Sequence, residues 1–250
     1  MTTQNIVTDF PSDEMVIRRI VRAIQKAIEE DMPEFYRENH METMNSARYI
    51  RGDKINENLR NMVASDDIQL LSFKRYSWDG RMLIDQNTHI TYTITTSQNL
   101  AAIPKKKGRS FPHFLQSILA AENGDLEGQY VQQALFPMEP FDSDVLEDDY
   151  RKIVAGVLEP NSGYHHYVIT YEFAKNSLLE VKLVLLDRAF NTVSELDVSS
   201  FIKPDFGQLT EPQPETVEHS TEPVRKARDL VAVKPGIRPD LIALEEEKQA

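Results

Sequence analysis

The first strong pattern along the chain is a helical repeat of apolar residues between Ser12 and about Asp31. Valine, isoleucine and alanine recur at intervals of three and four residues, while arginine, lysine, glutamine and glutamate occupy the other face. Ser12 is suited to cap this helix, and Pro33 marks its end. The same periodicity predicts a weaker second helix from Pro33 and a third from about Asp53 to Val63.

From Ile68 onward the helical repeat gives way to the alternation that is typical of β-strands. Three runs of this kind follow one another: IQLLSFKRYSW, RMLID and HITYTITT. Asp79-Gly80 separates the first two runs and Asn87-Thr88 separates the last two, and Asp-Gly is a favoured pair in tight hairpin turns. The pattern predicts a three-stranded antiparallel meander.

Helical signals return after the meander, beginning with a short turn at SQNLAAI. A longer helix is predicted from Ser110 to about Asn123, with Ser110 as its cap. The stretch that follows has no clear period. A further helix is expected to start at Asp142 or Ser143 and to end before Gly156, because glycine commonly follows the end of a helix.

A second hairpin is predicted from HHYVITYEF and LLEVKLVLLD, joined by a loop at Lys175 to Ser177. A three-residue loop puts one apolar set from each strand on the same face, and this agreement selects the register. The two sets are Ile169, Tyr171 and Phe173 on one strand and Leu179, Val181 and Leu183 on the other. Helices and antiparallel strands in separate blocks indicate an α+β fold.

Residues 1–203 are expected to form a single α+β domain, since no Pro, Gly or Ser-rich linker interrupts them. Residues 204–250 differ in composition. After Phe206 there is no Phe, Tyr or Trp, and the segment EPQPETVEHSTEP is acidic, Pro-rich and non-periodic, which predicts a flexible tail. A short apolar piece of this tail could dock on a protein partner through Leu241, Ile242 and Leu244.

The composition narrows the range of partners. The formal net charge is -12, and a chain of this sign is repelled by bulk nucleic acid and by anionic membranes. Cysteine is absent, which excludes disulfides, thiolate zinc sites and cysteine nucleophiles. The N-terminal segment lacks the features of a secretion leader, and no apolar run is long enough to cross a membrane. We therefore expect a cytoplasmic protein without membrane contact.

One short loop has the opposite charge to the chain as a whole. The stretch IPKKKGRSFPHFL places four cations in five positions, directly before the helix predicted at Ser110. Cations beside the free amides of a helix start favour an anion, such as a phosphate or a nucleic-acid backbone. The alternative is a solvated loop that offsets neighbouring acidic patches. The candidate anion site consists of Lys105, Lys106, Lys107, Arg109, Ser110 and His113.

A catalytic alternative can be built on the second hairpin. Many metal-dependent nucleases place an acidic residue and a Glu-x-Lys pair on adjacent strands, where the carboxylates hold Mg²⁺. Glu180-Val181-Lys182 has this form, and Asp85 could supply the other acid. The predicted register, however, puts Glu180 and Lys182 on the polar face of an ordinary half-exposed strand. Mg²⁺ is expected only under this alternative, and otherwise no cofactor is predicted.

Histidine adds little to these candidates. His165 and His166 begin a strand and point to opposite faces, which does not favour a shared metal ion. For His113 a structural role is the alternative to anion binding. The chain has no Gly-rich phosphate loop, no H-E-x-x-H pair and no G-x-S-x-G elbow, so no motif indicates an enzyme.

Four short motifs lie along the predicted domain. They are Ile55-Asn56-x-Asn58-Leu59-Arg60, Trp78-x-Gly80 leading into Leu83-Ile84-Asp85, Pro112-His113-Phe114-Leu115-Gln116, and Glu122-Asn123-Gly124-Asp125. Together they resemble an uncharacterised family of small cytoplasmic proteins from Gram-positive bacteria and their mobile elements. The resemblance covers about residues 15–202 and excludes the tail. It implies a bacterial setting, and it brings no established activity or catalytic residue.

The sequence thus favours a binding or regulatory protein over an enzyme, with a local basic site for nucleic acid or a phosphorylated ligand. A protein-interaction module that acts through the tail is a further alternative. Four charges on one loop are weak support for an anion site, whereas about eight on one surface are strong support. The decisive question is whether the fold brings the loop together with Arg48, Arg51, Arg60 or Arg75.

Overall fold

The computed structural model describes residues 13–40, 42–75, 78–128 and 141–204. The chain divides into two compact units, Met1–Pro204 and Asp205–Ala250. The second unit lies outside the described residues, and with it the apolar piece of the predicted tail at Leu241, Ile242 and Leu244. The predicted flexibility of the tail and its predicted partner therefore stay predictions.

Helices dominate the described part of the first unit before the sheet, residues 13–40 and 42–63. Its elements are helix α1, Glu14–Lys26; a π-helical segment, Ala27–Asp31; helix α2, Met32–Asn39; and helix α3, Ala47–Met62. The N-cap of α1 is Asp13, whose carboxylate accepts a hydrogen bond from the amide of Met15 at 2.9 Å. The predicted cap, Ser12, lies outside the described residues. Pro33 does not end the helical segment, because it stands in the first turn of α2, where its missing N–H needs no partner.

Within the described residues, six strands form one sheet in chain order. They are β1, Ile68–Arg75; β2, Trp78–Asp85; β3, Ile90–Thr96; β4, His165–Ala174; β5, Ser177–Leu186; and β6, Thr192–Asp197. Neighbouring strands are antiparallel except β3 and β4, which are parallel. The predicted meander and the predicted hairpin are both present, and the parallel pair joins them into a single mixed sheet. The predicted α+β class is confirmed.

The turn between β1 and β2 is not where the sequence predicted it. Asp79 and Gly80 are part of β2, where they pair with Lys74 and Phe73. Gly80 is required for a different reason, since a Cβ at this position would lie 2.2 Å from the ring of Phe73. The glycine leaves space for an aromatic ring on the neighbouring strand instead of forming a turn.

The register of β4 and β5 follows the prediction over most of its length. Tyr171 pairs with Val181, as expected. A β-bulge then shifts the pairing, so that Phe173 lies opposite Leu178. Leu179, which the prediction placed on the buried face, is therefore 57% exposed. The prediction was wrong at this end because a shift of one residue moves a side chain to the other face of a sheet.

The other α-helices lie between β3 and β4. They are α4, Ser97–Ala102; α5, Phe114–Glu122; and α6, Ser143–Val154. The N-cap of α5 is His113 and not the predicted Ser110. Helix α3, in contrast, begins at Ala47, well before the predicted start at Asp53. Within the described ranges, no helix combines the length and the apolar character that crossing a lipid bilayer requires.

Helices cover both faces of the sheet. Helices α1 and α3 pack on one face, and α5 and α6 pack on the other. Strand β2 contributes to both cores, since Leu83 points to the first face while Met82 and Ile84 point to the second. The polar face of β3 is consequently buried as well, and Thr91 and Thr93 lie under α5 and not in solvent.

Candidate functional site

The sheet opens into two arms between β2 and β3. These strands pair only between Leu83–Asp85 and Ile90–Tyr92. Beyond this short ladder, β2 continues beside β1 and β3 continues beside β4. Among the described residues, the facing edges of Trp78–Met82 and Thr93–Thr96 have no strand partner. Backbone donors and acceptors on these edges are left for another partner.

A cavity of about 1580 Å³, which we call the cleft, occupies the space between the two arms. Its walls are formed by β2, β3, the end of β4, helix α3 and the loop that leads from α4 to α5. Cavities that hold drug-sized molecules measure about 300–1,000 Å³. The cleft is therefore large enough for a ligand that extends over several chemical groups.

Cations dominate the charge of the cleft, in contrast to the acidic chain. Among the described residues, three carboxylates line it, those of Asp53, Asp79 and Glu172. The cationic side chains that line it are Arg48, Arg51, Arg75, Arg81, Lys106 and Arg109. In the described part of the chain, Arg75 alone among them forms an ion pair, with Asp149. The other five cations outnumber the three carboxylates, so the described lining of this concave surface has a net positive charge.

The fold thus unites the basic loop with distant arginines. Arg48, Arg51 and Arg75 lie around the same cleft as the loop, whereas Arg60 does not line it. Arg81 is a further lining arginine that the sequence did not single out. Cations from α3, β1, β2 and the loop therefore meet on one surface.

The candidate loop residues divide into two groups. Lys106, Arg109, Ser110 and His113 line the cleft. The other two, Lys105 and Lys107, are exposed on the loop and do not line the cleft. The lysine run is therefore only one part of the basic surface, and arginines supply most of it.

His113 holds the start of α5. Its Nδ1 accepts a hydrogen bond from the amide of Leu115 at 3.3 Å, and its own amide donates to Oε1 of Gln116 at 2.7 Å. This capping box satisfies amides at the helix start. The predicted anion site at the Ser110 helix start is therefore wrong in this detail, because the helix begins at Phe114 and its first turn is already capped by protein groups.

The ionisation of His113 reflects the positive field of the cleft. Burial lowers the pKa of His113 to about 3, and the charges of Arg109, Arg75 and Lys106 contribute in the same direction. The ring is therefore neutral at physiological pH. A nearby anion would offset the three cations and would raise this pKa.

Two arginines of the cleft have a buried donor atom without an acceptor. The Nε atoms of Arg51 and Arg109 are buried and find no hydrogen-bond partner among the described residues. Both side chains are nevertheless held in place: Arg51 lies 4.0 Å above the ring of Phe173, and Arg109 donates to the carbonyl of Ile103 at 3.2 Å. Because an unsatisfied buried donor is unfavourable, each can gain from an acceptor on a ligand.

Arg75 has a different role from the other cations. It forms an ion pair with Asp149 of α6 and donates to the carbonyl of Pro112. The second oxygen of Asp149 accepts a hydrogen bond from the hydroxyl of Ser117 at 2.5 Å. The charge of Arg75 is thus compensated within the protein, and the residue positions the loop that precedes α5.

Exposed aromatic rings lie beside the cations. Tyr49, Trp78 and Phe111 line the cleft and are 58%, 43% and 60% exposed. Trp78 also packs on Phe73 and Phe114, with ring centroids 5.7 and 5.3 Å apart. These three rings were not among the candidate residues predicted from the sequence. The sequence does contain one indication of this set, since each of the three rings lies within three positions of an arginine that lines the cleft.

A buried polar network supports the β3 wall of the cleft. Thr93, which lines the cleft, contacts Nε2 of His166 at 2.8 Å, and Thr91 contacts Nδ1 of the same ring at 2.7 Å. Thr91 also donates to the carboxylate of Glu122, and the hydroxyl of Tyr150 donates to the other oxygen at 2.8 Å. Burial raises the pKa of Glu122 to about 7 and lowers the pKa of His166 to about 3.

The predicted nuclease residues do not form one site. Asp85 lies at the end of the sheet where β4 begins, and its carboxylate accepts the amide hydrogen of Asn87 at 3.0 Å. Glu180 lies opposite Glu172 near the other end of β4, and it pairs with Lys182 at 3.2 Å. With several residues between them at about 3.3 Å each, these carboxylates cannot share an ion. Among the described residues, no group of three or more His, Asp and Glu side chains could hold a metal ion.

The fold and the cleft define an α+β protein whose six-stranded mixed sheet is covered on both faces and carries a cationic, aromatic cleft between two diverging arms. Residues 9–248 match a family of unknown function, DUF5986, and the chain belongs to this family. The match extends beyond the predicted residues 15–202 and includes most of the tail. No curated protein and no solved structure matches the chain.

Proposed function

We propose that this is a cytoplasmic binding protein that holds an anionic ligand, a nucleic acid or another phosphorylated molecule, in the cleft. One observation carries the proposal: five cations that have no ion pair within the described part of the chain converge on one cavity. Four of them are arginines, whose planar guanidinium groups match the geometry of phosphate oxygens.

The charge of the whole chain makes this convergence more informative. A net charge of -12 repels polyanions over most of the surface, so a basic cavity has to be built from specific residues. Binding through such a cavity depends strongly on salt, because the ligand releases counterions as its phosphates are neutralised. The setting in Gram-positive bacteria and their mobile elements stays a prediction from the resemblance.

Binding of inorganic polyphosphate tests the proposal without assuming a base or a sugar. Arg48→Ala and Lys106→Ala each remove one exposed cation of the cleft, whereas Arg188→Ala removes an exposed cation at the opposite end of the sheet. We expect the first two to weaken binding about tenfold, because a hydrogen bond to a charged group contributes about 1.5–3 kcal/mol. Equal losses in all three variants, or no binding by the wild type at low salt, would contradict the proposal.

The ring of His113 reports whether the anion lies in the cleft. Because Arg109, Arg75 and Lys106 help to lower its pKa, a bound polyanion should raise the pKa of His113. The imidazole signals of His113 in an NMR titration check this, with the half-exposed His165 outside the cleft as the internal reference. A shift of His165 without a shift of His113 would place the anion elsewhere.

A further inference from the structure

The cleft repeats one combination of side chains on three of its walls. Each of these walls carries an exposed aromatic ring and, within three residues of it, an arginine that also lines the cleft. The pairs are Arg48 with Tyr49 on α3, Arg109 with Phe111 in the loop before α5, and Arg81 with Trp78 on β2, whose side chains leave the strand on opposite faces and line the cleft from its two sides. Three separate elements of the fold therefore present the same chemistry to one cavity.

A nucleotide contains the two groups that match such a pair. Its phosphate binds arginine, and its base has a flat face that stacks on an aromatic ring. A single nucleotide would use one of the three walls, whereas a short strand can use all of them. A duplex keeps the faces of its bases inside the stack, and an acidic peptide need not offer any flat ring. The repetition of the pair therefore favours a single strand.

The remaining features of the cleft agree with this ligand. Its volume of about 1580 Å³ exceeds what a small molecule requires. The Nε atoms of Arg51 and Arg109 are buried donors that lack an acceptor among the described residues, and phosphate oxygens are acceptors. The edge of Thr93–Thr96 that faces β2 has no strand partner in the described chain, so it offers backbone groups to the edges of bases.

We propose that the ligand of the cleft is single-stranded nucleic acid, DNA or RNA. This inference rests on the proposed function. The bases of this strand stack on Tyr49, Trp78 and Phe111, and its phosphates contact the arginines that line the cleft. The sequence of the strand is read weakly, because every base has a face that can stack.

The test compares ligands that share phosphates and differ in bases. The ligands are single-stranded DNA and RNA of about 12 nucleotides, an abasic strand of equal length, the DNA duplex, ATP and poly-glutamate. The binding affinity of each is measured at about 50 mM salt. Trp78 is the only tryptophan of the chain, so its emission reports stacking directly. We expect base-bearing single strands to quench Trp78 and to bind at least about tenfold more tightly than the abasic strand. Comparison of the single-stranded DNA with the single-stranded RNA then shows which sugar the cleft prefers.

Matched variants separate stacking from general surface effects. Tyr49→Ala and Phe111→Ala remove exposed rings of the cleft and should each weaken binding of the single strand about fivefold to tenfold. Leu179→Ala removes a side chain of similar exposure outside the cleft and should leave binding unchanged. Neither aromatic variant should change binding of the abasic strand.

The outcomes distinguish this inference from the proposed function. If the abasic strand or poly-glutamate binds as tightly as the base-bearing strand, the cleft binds anions but the inference of stacked bases is wrong. If the duplex or ATP binds as tightly as the single strand, the inference of a single strand is wrong. If none of the ligands binds, the proposed function fails together with the inference.

Discussion

Glu122 is a buried carboxylate that determines where its hydrogen-bonded neighbours carry their protons. Thr91 has one hydroxyl proton and gives it to Glu122, so the oxygen of Thr91 accepts a hydrogen bond from Nδ1 of His166. The unprotonated Nε2 of His166 then accepts the hydroxyl hydrogen of Thr93. When Glu122 is ionised, above its pKa of about 7, its carboxylate thus determines the tautomer of a histidine that contacts the wall of the cleft.

We predict that Glu122 makes the wild type lose stability as the pH rises from 4.5 to 7, and that Glu122→Gln removes this loss. Burial raises the pKa of Glu122 from 4.5 to about 7, so the folded state holds a proton that the unfolded state releases between these values. The contribution of Glu122 is fully present below pH 4.5 and is lost as the pH rises to 7, a change on the order of 3 kcal/mol. Urea unfolding between pH 4.5 and 8 measures it.

The comparison between variant and wild type isolates this effect. His166 has the opposite effect on stability, because its pKa is lowered to about 3 and its contribution to stability is lost as the pH falls below 6.5. The contribution of His166 is the same in both proteins and therefore cancels in the comparison. Glu127→Gln, which changes an exposed carboxylate shortly after α5, serves as the control. The same pH dependence in wild type and Glu122→Gln would show that Glu122 is not the titrating group.

The residues of the four sequence motifs mostly hold the fold together. The side chain of Asn123 donates to the carbonyls of His166 and Leu186 at 2.9 and 2.7 Å, and that of Asn58 donates to Asp31 at 2.7 Å. His113 and Gln116 form the capping box of α5, and Gly80 accommodates the ring of Phe73. The motifs could be seen in the sequence, but their partners could not, since they lie on other elements.

At the scale of elements, substitution of two glycines by alanine should change the free energy of unfolding in opposite directions. We predict that Gly80→Ala destabilises the protein by about 1–3 kcal/mol, because a Cβ would lie 2.2 Å from the ring of Phe73 between β1 and β2. Gly52→Ala is the matched substitution, since Gly52 lies inside α3 with nothing within 4 Å of the added carbon. It should stabilise the protein by about 0.5–1 kcal/mol.

Urea unfolding of both variants gives the free energies, and Trp78 gives a local readout. The ring of Phe73 contacts that of Trp78 at 5.7 Å, so displacement of Phe73 by Gly80→Ala should also change the emission of Trp78. A neutral Gly80→Ala variant with unchanged emission would mean that the strands tolerate the methyl group and that the close approach to Phe73 is not essential.

The elements themselves could be predicted more accurately than their ends. Five of the six α-helices in the described residues and the first five strands follow from the sequence pattern, whereas α4 was predicted only as a short turn and β6 was not predicted. The errors concern caps and turns: α5 begins at Phe114, after the N-cap His113, because Gln116 completes its capping box, and Asp79-Gly80 belongs to a strand. The contact of Gly80 with Phe73 on the neighbouring strand is invisible in the local pattern, whereas the capping box of α5 joins residues only three positions apart.

At the scale of the whole molecule, we predict that residues 1–204 fold without residues 205–250. The described cores are composed of residues between Val16 and Ile202, and Gln25 binds the backbone of Lys203 with hydrogen bonds of 2.7 and 3.0 Å. A chain of residues 1–204 should therefore keep the free energy of unfolding within about 1 kcal/mol of that of the full chain.

A shorter chain provides the contrast. Residues 1–198 lack Phe201, over which Arg18 lies at 4.0 Å, and Ile202, and both pack against the first core. This truncation should destabilise the protein by about 2–4 kcal/mol, the value of burying part of two large side chains. Unfolding of the 1–204 chain at the same low urea concentration as the 1–198 chain would contradict the prediction.

The sequence by itself determined the α+β class, the alternation of helices and strands, and the basic loop at Lys105 to Arg109, because each of these depends on neighbours along the chain. Only the tertiary structure decided that β3 pairs in parallel with β4 while β2 turns away from β3. Pairing between strands about seventy residues apart leaves no local period to read. That pairing opens the cleft, and it brings arginines and aromatic rings from three distant segments to a single surface.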